Sequence, residues 1–260
     1  MPYALQDRNV LVSAGSRGLG AVVAQKFAAE GCNVAINYLS SRDAAEKVAS
    51  DIRAQYNVKV ILIQGDASIQ SECQNMVQTT IEQLGGLDIL VSNAGWTKVT
   101  TFNDLDAMNE EDWDKVGSSR LHCWSANVKG HLWLFKAALP TFRANPDGGV
   151  FLLTSSAAAV SASGSSLPYS VTKAAGLHLV KCLAQTQGNK VRVNAVLPGL
   201  LLTEWGLRFP KEKIEAYKAK TPLNTLPEVE DTADAYINIA KNSSMTGQAV
   251  QIDSGFVVNY

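Results

Sequence analysis

Cysteine is scarce in this chain of 260 residues, and its four copies stand far apart. Cys32, Cys73, Cys123 and Cys182 make no C-x-x-C pair and have no histidine at ligand spacing, which excludes a zinc framework and a disulfide-stapled fold and fits free thiols in a reducing compartment. Histidine is scarcer still. His122, His131 and His178 have no serine or metal partner beside them, and without a G-x-S-x-G elbow a Ser-His-Asp hydrolase is excluded. Net charge is almost absent: 23 Lys+Arg against 24 Asp+Glu leave -1, no footprint for nucleic acid or a lipid surface. No apolar run approaches the roughly eighteen residues of a membrane span. "MPYALQDRNV" lacks the basic-then-apolar order of a signal peptide, and "VVNY" matches no lipidation or peroxisomal tag, so the expected location is the cytoplasm. With no Pro/Ser-rich linker, charge block or fixed-period repeat, residues 1–260 read as a single domain.

What is present is alternation. Short β-branched runs, "NVLVSAG", "CNVAINY", "VKVILIQGD", "LDILVSN", "GVFLLTSS", "VRVNAVLPG" and "GQAVQIDSG", are separated by helical patterns such as residues 19–30, 44–55 and 72–84. Continuous apolar strands between helix-length segments predict a parallel sheet covered on both faces, an α/β fold with seven strands.

The first strand runs into "SAGSRGLG", in which Gly15, Gly18 and Gly20 give G-x-x-G-x-G before an amphipathic helix. Without Cβ atoms the backbone can approach a pyrophosphate, and the helix N-terminus offers free N–H groups and a positive dipole end, so the segment around Ser13, Ser16 and Leu19 reads as a dinucleotide loop in a doubly wound, Rossmann-type sheet. A coenzyme with a free ribose 2′-hydroxyl is held by an Asp or Glu about 20 residues further on. Here the second strand ends in Asn37, Tyr38, Leu39, Ser40, Ser41 and Arg42, with no carboxylate before Asp43, and Arg17 lies in the loop itself. Two guanidiniums and two hydroxyls suit a 2′-phosphate, at about 1.5–3 kcal/mol per charge-assisted hydrogen bond, and predict NADP(H).

"PYSVTKAAG", residues 168–176, sets Tyr169 and Lys173 one helical turn apart on a shared face. With 7 Tyr and 15 Lys, chance supplies about 0.4 such pairs in a chain of this size, so spacing alone is weak. Its companions decide. "SAGSRGLG", "GDAS" (65–68), "SNAG" (92–95), "NVKG" (127–130), "LLTSS" (152–156), "YSVTK" (169–173), "VNAVLPG" (193–199) and "TGQAVQIDSG" (246–255) stand in the order and spacing of the short-chain dehydrogenase/reductase family, which the chain resembles over nearly its whole length.

That resemblance implies roles. Ser156, Tyr169 and Lys173 match the catalytic serine, tyrosine and lysine, and Asn127 the asparagine that shapes the active-site helix and holds a proton-relay water. Asp66 and Ala67 match adenine contacts. Asn93, Ala94 and Gly95 match the wall beside the adenosine ribose, and Pro198, Gly199 and Thr203 the segment receiving the nicotinamide. The implied activity is hydride transfer between NADPH and a ketone or aldehyde, reversible towards the alcohol. A sugar or polyol dehydrogenase, a 3-oxoacyl reductase and a silent NADP(H)-binding regulator are the alternatives. Lys173 and the charge of an oxidised nicotinamide are expected to lower the Tyr169 pKa. The apolar helix 127–139 implies a homodimer or homotetramer, and the amphipathic residues 200–226 read either as a flap over the substrate or as an ordinary surface helix.

The chain departs from the family at Ser13-Ala14 for Thr-Gly, Ser92 for Asn, and Ser254 within "DSG". The stretch from Trp113 to Asn127 is also longer than the family pattern, with "VGSSRLH" (116–122) as the candidate insertion.

Overall fold

The computed structural model describes residues 3–114 and 122–258; of the candidate insertion only His122 falls within them. Seven strands, β1 (Asn9–Val12), β2 (Asn33–Tyr38), β3 (Val60–Gln64), β4 (Ile89–Ser92), β5 (Gly149–Thr154), β6 (Val191–Pro198) and β7 (Ala249–Ile252), pair in parallel in the order β3-β2-β1-β4-β5-β6-β7. Every run that the sequence marks as a strand is in the sheet.

The period-two pattern sorts side chains to two cores. In β1, Val10 and Val12 join one face while Leu11 joins the other; in β5, Val150 and Leu152 oppose Phe151 and Leu153. Helices α1 (Gly18–Ala29), α2 (Arg42–Gln55) and α8 (Val229–Lys241) cover the first face with Phe27, Ile52 and Tyr236. On the second face, α3 (Gln70–Leu84), α5 (Gly130–Ala144) and α6 (Leu167–Gln187) contribute Met76, Phe135 and Val180. Phe135 meets Phe151 edge to face at 5.2 Å. Two short helices, α4 (Glu110–Trp113) and α7 (Lys211–Lys218), stand outside these layers.

Strand order reverses between β1, which leads outward to β2, and β4, which leads the other way; their C-terminal ends flank the crevice in which open α/β sheets take ligands. The helix expected over 127–139 differs from the reading in one respect. It opens as a wide π-helical turn, Ser125–Lys129, before α5 runs on through Pro140 to Ala144. The wide turn frees the Asn127 side chain to bond the chain beside it, and π-bulges gather at such sites.

Candidate active site

The loop after β1 is held in shape from both sides. Ser13 Oγ accepts from the backbone N–H groups of Asn93 (2.9 Å) and Ala94 (3.0 Å), so serine serves as the hydroxyl partner that threonine usually provides. Asn93 returns two bonds, from Nδ2 to the carbonyls of Ser13 (3.2 Å) and Ala14 (3.3 Å), while its Oδ1 accepts from Thr154 Oγ1 at 3.1 Å. Ala14 sits at φ 49°, a left-handed conformation that costs an L-residue energy. At Gly20 a Cβ would lie 2.4 Å from Ala14 O and 2.6 Å from Asn93 Nδ2, so no other residue fits without displacing the loop.

Two residues expected at the coenzyme face the protein instead. Asn37 is buried; its Oδ1 accepts from Ala14 N–H (3.0 Å), and its Nδ2 donates to Ile63 O (3.2 Å) and Gly65 O (2.9 Å). It braces the glycine loop from below. Tyr38 packs in the α1/α2 core, because the strand's alternation turns it inward. Beyond β2, Ser40 and Arg42 are exposed. Arg17 reaches across to Ser41, donating from Nη2 to Oγ at 2.8 Å, and its Nη1 pairs with Glu204 Oε2 at 2.8 Å.

A cavity of about 430 Å³ lies beside this rim, lined by Leu39, Gln64, Gly65, Asp66, Ile69 and Glu72. Asp66 Oδ1 accepts from Ser68 N–H (2.8 Å), and Asp66 N–H donates to Glu72 Oε2 (2.6 Å). The other carboxylate oxygen, Oδ2, is buried without a protein partner. A buried acceptor left open at a pocket wall is what the exocyclic amine of adenine would satisfy; Ala67, next in the chain, is buried. The residues present therefore fit an adenine dinucleotide.

At the other end of the crevice α6 begins on two local signals. Ser166 is its N-cap, accepting from Tyr169 N–H at 3.3 Å, and Pro168 occupies the first turn. This start sets Tyr169 opposite Ser156, which caps the 3₁₀ turn after β5 by accepting from Ala158 N–H at 3.2 Å and whose hydroxyl lies close enough to favour the ionised phenol. One turn along, the buried Lys173 lies with Nζ 5.5 Å from the Tyr169 ring centroid and donates to Thr154 O at 2.8 Å. Asn127 is fully engaged: Oδ1 accepts from Trp96 N–H (2.8 Å), while Nδ2 donates to Trp96 O (2.9 Å) and Thr172 Oγ1 (3.0 Å). Gly95 lies between them, where a Cβ would stand 3.0 Å from Asn127 Oδ1 and 3.4 Å from Lys173 Nζ. Pro198 ends β6, and Gly199 N–H bonds Ile252 O at 2.9 Å. The Thr203 methyl approaches Gly18 across the loop, 3.3 Å from where a Cβ would sit.

A family model described as enoyl-(acyl carrier protein) reductase matches residues 13–257. The chain belongs to the short-chain dehydrogenase/reductase family. It is 34% identical over 248 residues, 94% of each chain, to a Streptomyces violaceoruber protein whose name places it in the granaticin polyketide synthase as a ketoacyl reductase. Among solved structures it is similar to a short-chain dehydrogenase from Burkholderia cenocepacia J2315 in complex with NADP, with a TM-score of 0.87, 29% identity and coverage of 98% and 99%. A 7α-hydroxysteroid dehydrogenase complexed with NADH and 7-oxo glycochenodeoxycholic acid aligns with a TM-score of 0.87, 28% identity and coverage of 97% and 96%.

This short-chain dehydrogenase/reductase is thus an oxidoreductase of a family that uses a nicotinamide coenzyme. The surroundings of the pair act on its two members in opposite senses. Burial pushes the Tyr169 pKa up to about 12, against the opposing influence of the Ser156 hydroxyl. Lys173 moves the other way, from 10.5 to about 8, because burial disfavours its ammonium. The ammonium is held on the Thr154 carbonyl rather than on the phenol oxygen. Sequence reading missed Glu204, Thr172 and the carbonyl of Thr154. Nothing in local spacing announces a partner 187 or 45 positions away. Among the described residues no cluster suits a metal ion, and no helix is long and apolar enough to cross a membrane.

Proposed function

We propose that the protein is an NADP(H)-dependent carbonyl reductase, reversible towards the alcohol. One observation carries the reading: a phenol facing the Ser156 hydroxyl and backed by a buried ammonium 5.5 Å from its ring centroid, at the mouth of the crevice that holds the glycine loop. Arg17, Ser41 and Arg42 would hold the 2′-phosphate; Ser13, Gly15, Ser16, Gly18, Leu19 and Gly20 would form the pyrophosphate loop. Asp66 Oδ2 would accept from adenine, with Asn93, Ala94 and Gly95 beside the ribose and Pro198, Gly199 and Thr203 at the nicotinamide. When bound, the reduced coenzyme supplies the hydride.

The chain's own residues supply the proton and the oxyanion contacts. A phenol with its pKa near 12 is fully protonated at neutral pH, the state needed to donate to a carbonyl oxygen. Ser156 gives that oxygen a second hydrogen bond, lowering the cost of charge as the alkoxide develops. Lys173 supports proton return by favouring the phenolate that Tyr169 leaves behind, and its pKa near 8 lets it release a proton near neutrality. Asn127, by fixing Trp96 and Thr172, holds the wall and helix on which these groups sit.

A 3-oxoacyl substrate is the second reading, favoured by the name of the Streptomyces relative and by exposed Leu202, Trp205 and Leu207 on the 200–226 flap, which suit an acyl chain. A cytoplasmic homo-oligomer packed along α5 and α6 accompanies the proposal, with Val171 exposed on α6 for such a contact.

Tyr169→Phe tests the assignment. Ketone reduction should fall by about 10²- to 10⁴-fold while coenzyme affinity is retained; wild-type turnover in the variant would remove the acid role.

A further inference from the structure

The flap leaves the sheet with Leu201 packed in the core and the Thr203 methyl against Gly18, and beyond these anchors it is attached in two unlike ways. At its far end Tyr217 of α7 stacks on Phe256, centroids 4.0 Å apart and planes at 11°, and Leu223 N–H reaches Ser254 O at 3.4 Å. At its near end Glu204 pairs with Arg17, two exposed side chains in the rim of the coenzyme crevice. The first attachment is apolar contact that no coenzyme group can replace. The second is an ion pair made by the guanidinium that also reaches Ser41.

We propose that Glu204 is an internal stand-in for the 2′-phosphate: its carboxylate holds Arg17 until the phosphate arrives, and the phosphate takes Arg17 from it and loosens the turn of the flap around Glu204. The inference rests on the NADP(H) reading above. A carboxylate and a phosphate dianion ask for the same guanidinium edge, and the phosphate brings the larger charge and keeps Ser41 as a second donor. Once the phosphate is seated, Glu204 faces a like charge and loses its partner. A coenzyme without the phosphate leaves the pair intact. Glu204 therefore lowers affinity for the phosphorylated coenzyme alone, and loosening of this turn follows the phosphate rather than the nicotinamide.

The test is equilibrium titration of NADPH and NADH into wild type, Glu204→Gln, Arg17→Ala and the double variant, with hydrogen exchange across residues 203–209. Both side chains are exposed, so the variants should fold. Glu204→Gln should tighten NADPH about two- to fivefold, the range an exposed ion pair carries, and leave NADH unchanged. The gain should vanish in the Arg17→Ala background. The Leu207 N–H, bonded to Thr203 O at 3.0 Å, should exchange faster with NADPH bound than with NADH. Equal effects of Glu204→Gln on both coenzymes, or none, overturn the stand-in role, as does exchange at Leu207 that ignores the phosphate. If Arg17→Ala instead weakens both coenzymes alike, the NADP(H) reading falls and the inference with it. Selective loss of NADPH in Arg17→Ala with a silent Glu204→Gln overturns the inference alone.

Discussion

Lys173 is buried to 3% exposure, and its ammonium has one carbonyl and no carboxylate for company. Keeping that charge inside the protein must cost stability, and Lys173→Met, which retains length and apolar volume, should recover part of it. The pKa falls from 10.5 to about 8. At about 1.4 kcal/mol per pKa unit, the charged lysine weakens the fold by about 3 kcal/mol near neutral pH. The unpaired Thr154 carbonyl in the variant offsets this by about 1–3 kcal/mol, so the absolute gain is small. The pH dependence is not. A depressed folded pKa means that the lysine's unfavourable contribution is complete below about pH 8 and disappears as pH rises towards 10.5. Relative to wild type, Lys173→Met should therefore lose about 2 kcal/mol of its advantage between about pH 7 and 9.5. Urea denaturation of both coenzyme-free proteins at equal concentration measures this, because titrations common to the two cancel. A difference that stays constant across that window would show the ammonium to be solvated, and the electrostatics of the site would have to be redrawn.

Ala14→Gly should stabilise the protein by about 1 kcal/mol, since Ala14 adopts φ 49°, and should raise Tm by about 2–4 °C; a lower Tm in calorimetry would refute strain at the loop. Asn127→Ala leaves Trp96 N–H and Trp96 O without their partner and should cost about 2–4 kcal/mol, with kcat falling more than coenzyme affinity. A variant with wild-type stability would mean that water replaces the side chain. Ser13→Ala removes the acceptor for two N–H groups and should weaken both coenzymes alike, whereas Ser13→Thr should bind as wild type.

The family signatures were legible because they are local. Glycine spacing, an N-cap serine and a proline at the head of a helix, and a tyrosine four residues before a lysine need only short-range geometry. Strand number followed from continuous apolar runs, which can be buried only between two helical layers. Side-chain direction was harder to read. Asn37 and Tyr38 lie in the segment expected at the coenzyme, but the pleat and the demands of buried amide groups turn both side chains inward, to the glycine loop and the core.

The sequence by itself determined a seven-stranded parallel sheet with a glycine-rich loop after its first strand, because periodicity and spacing are properties of the chain alone, and its resemblance to the family pointed to Ser156, Tyr169 and Lys173. Only the tertiary structure decided that the phenol is raised and the amine lowered, since desolvation depends on what every other element packs around them. It alone also joined Glu204 to Arg17, a contact between residues 187 positions apart that exists because the segment after β6 passes beside the first loop.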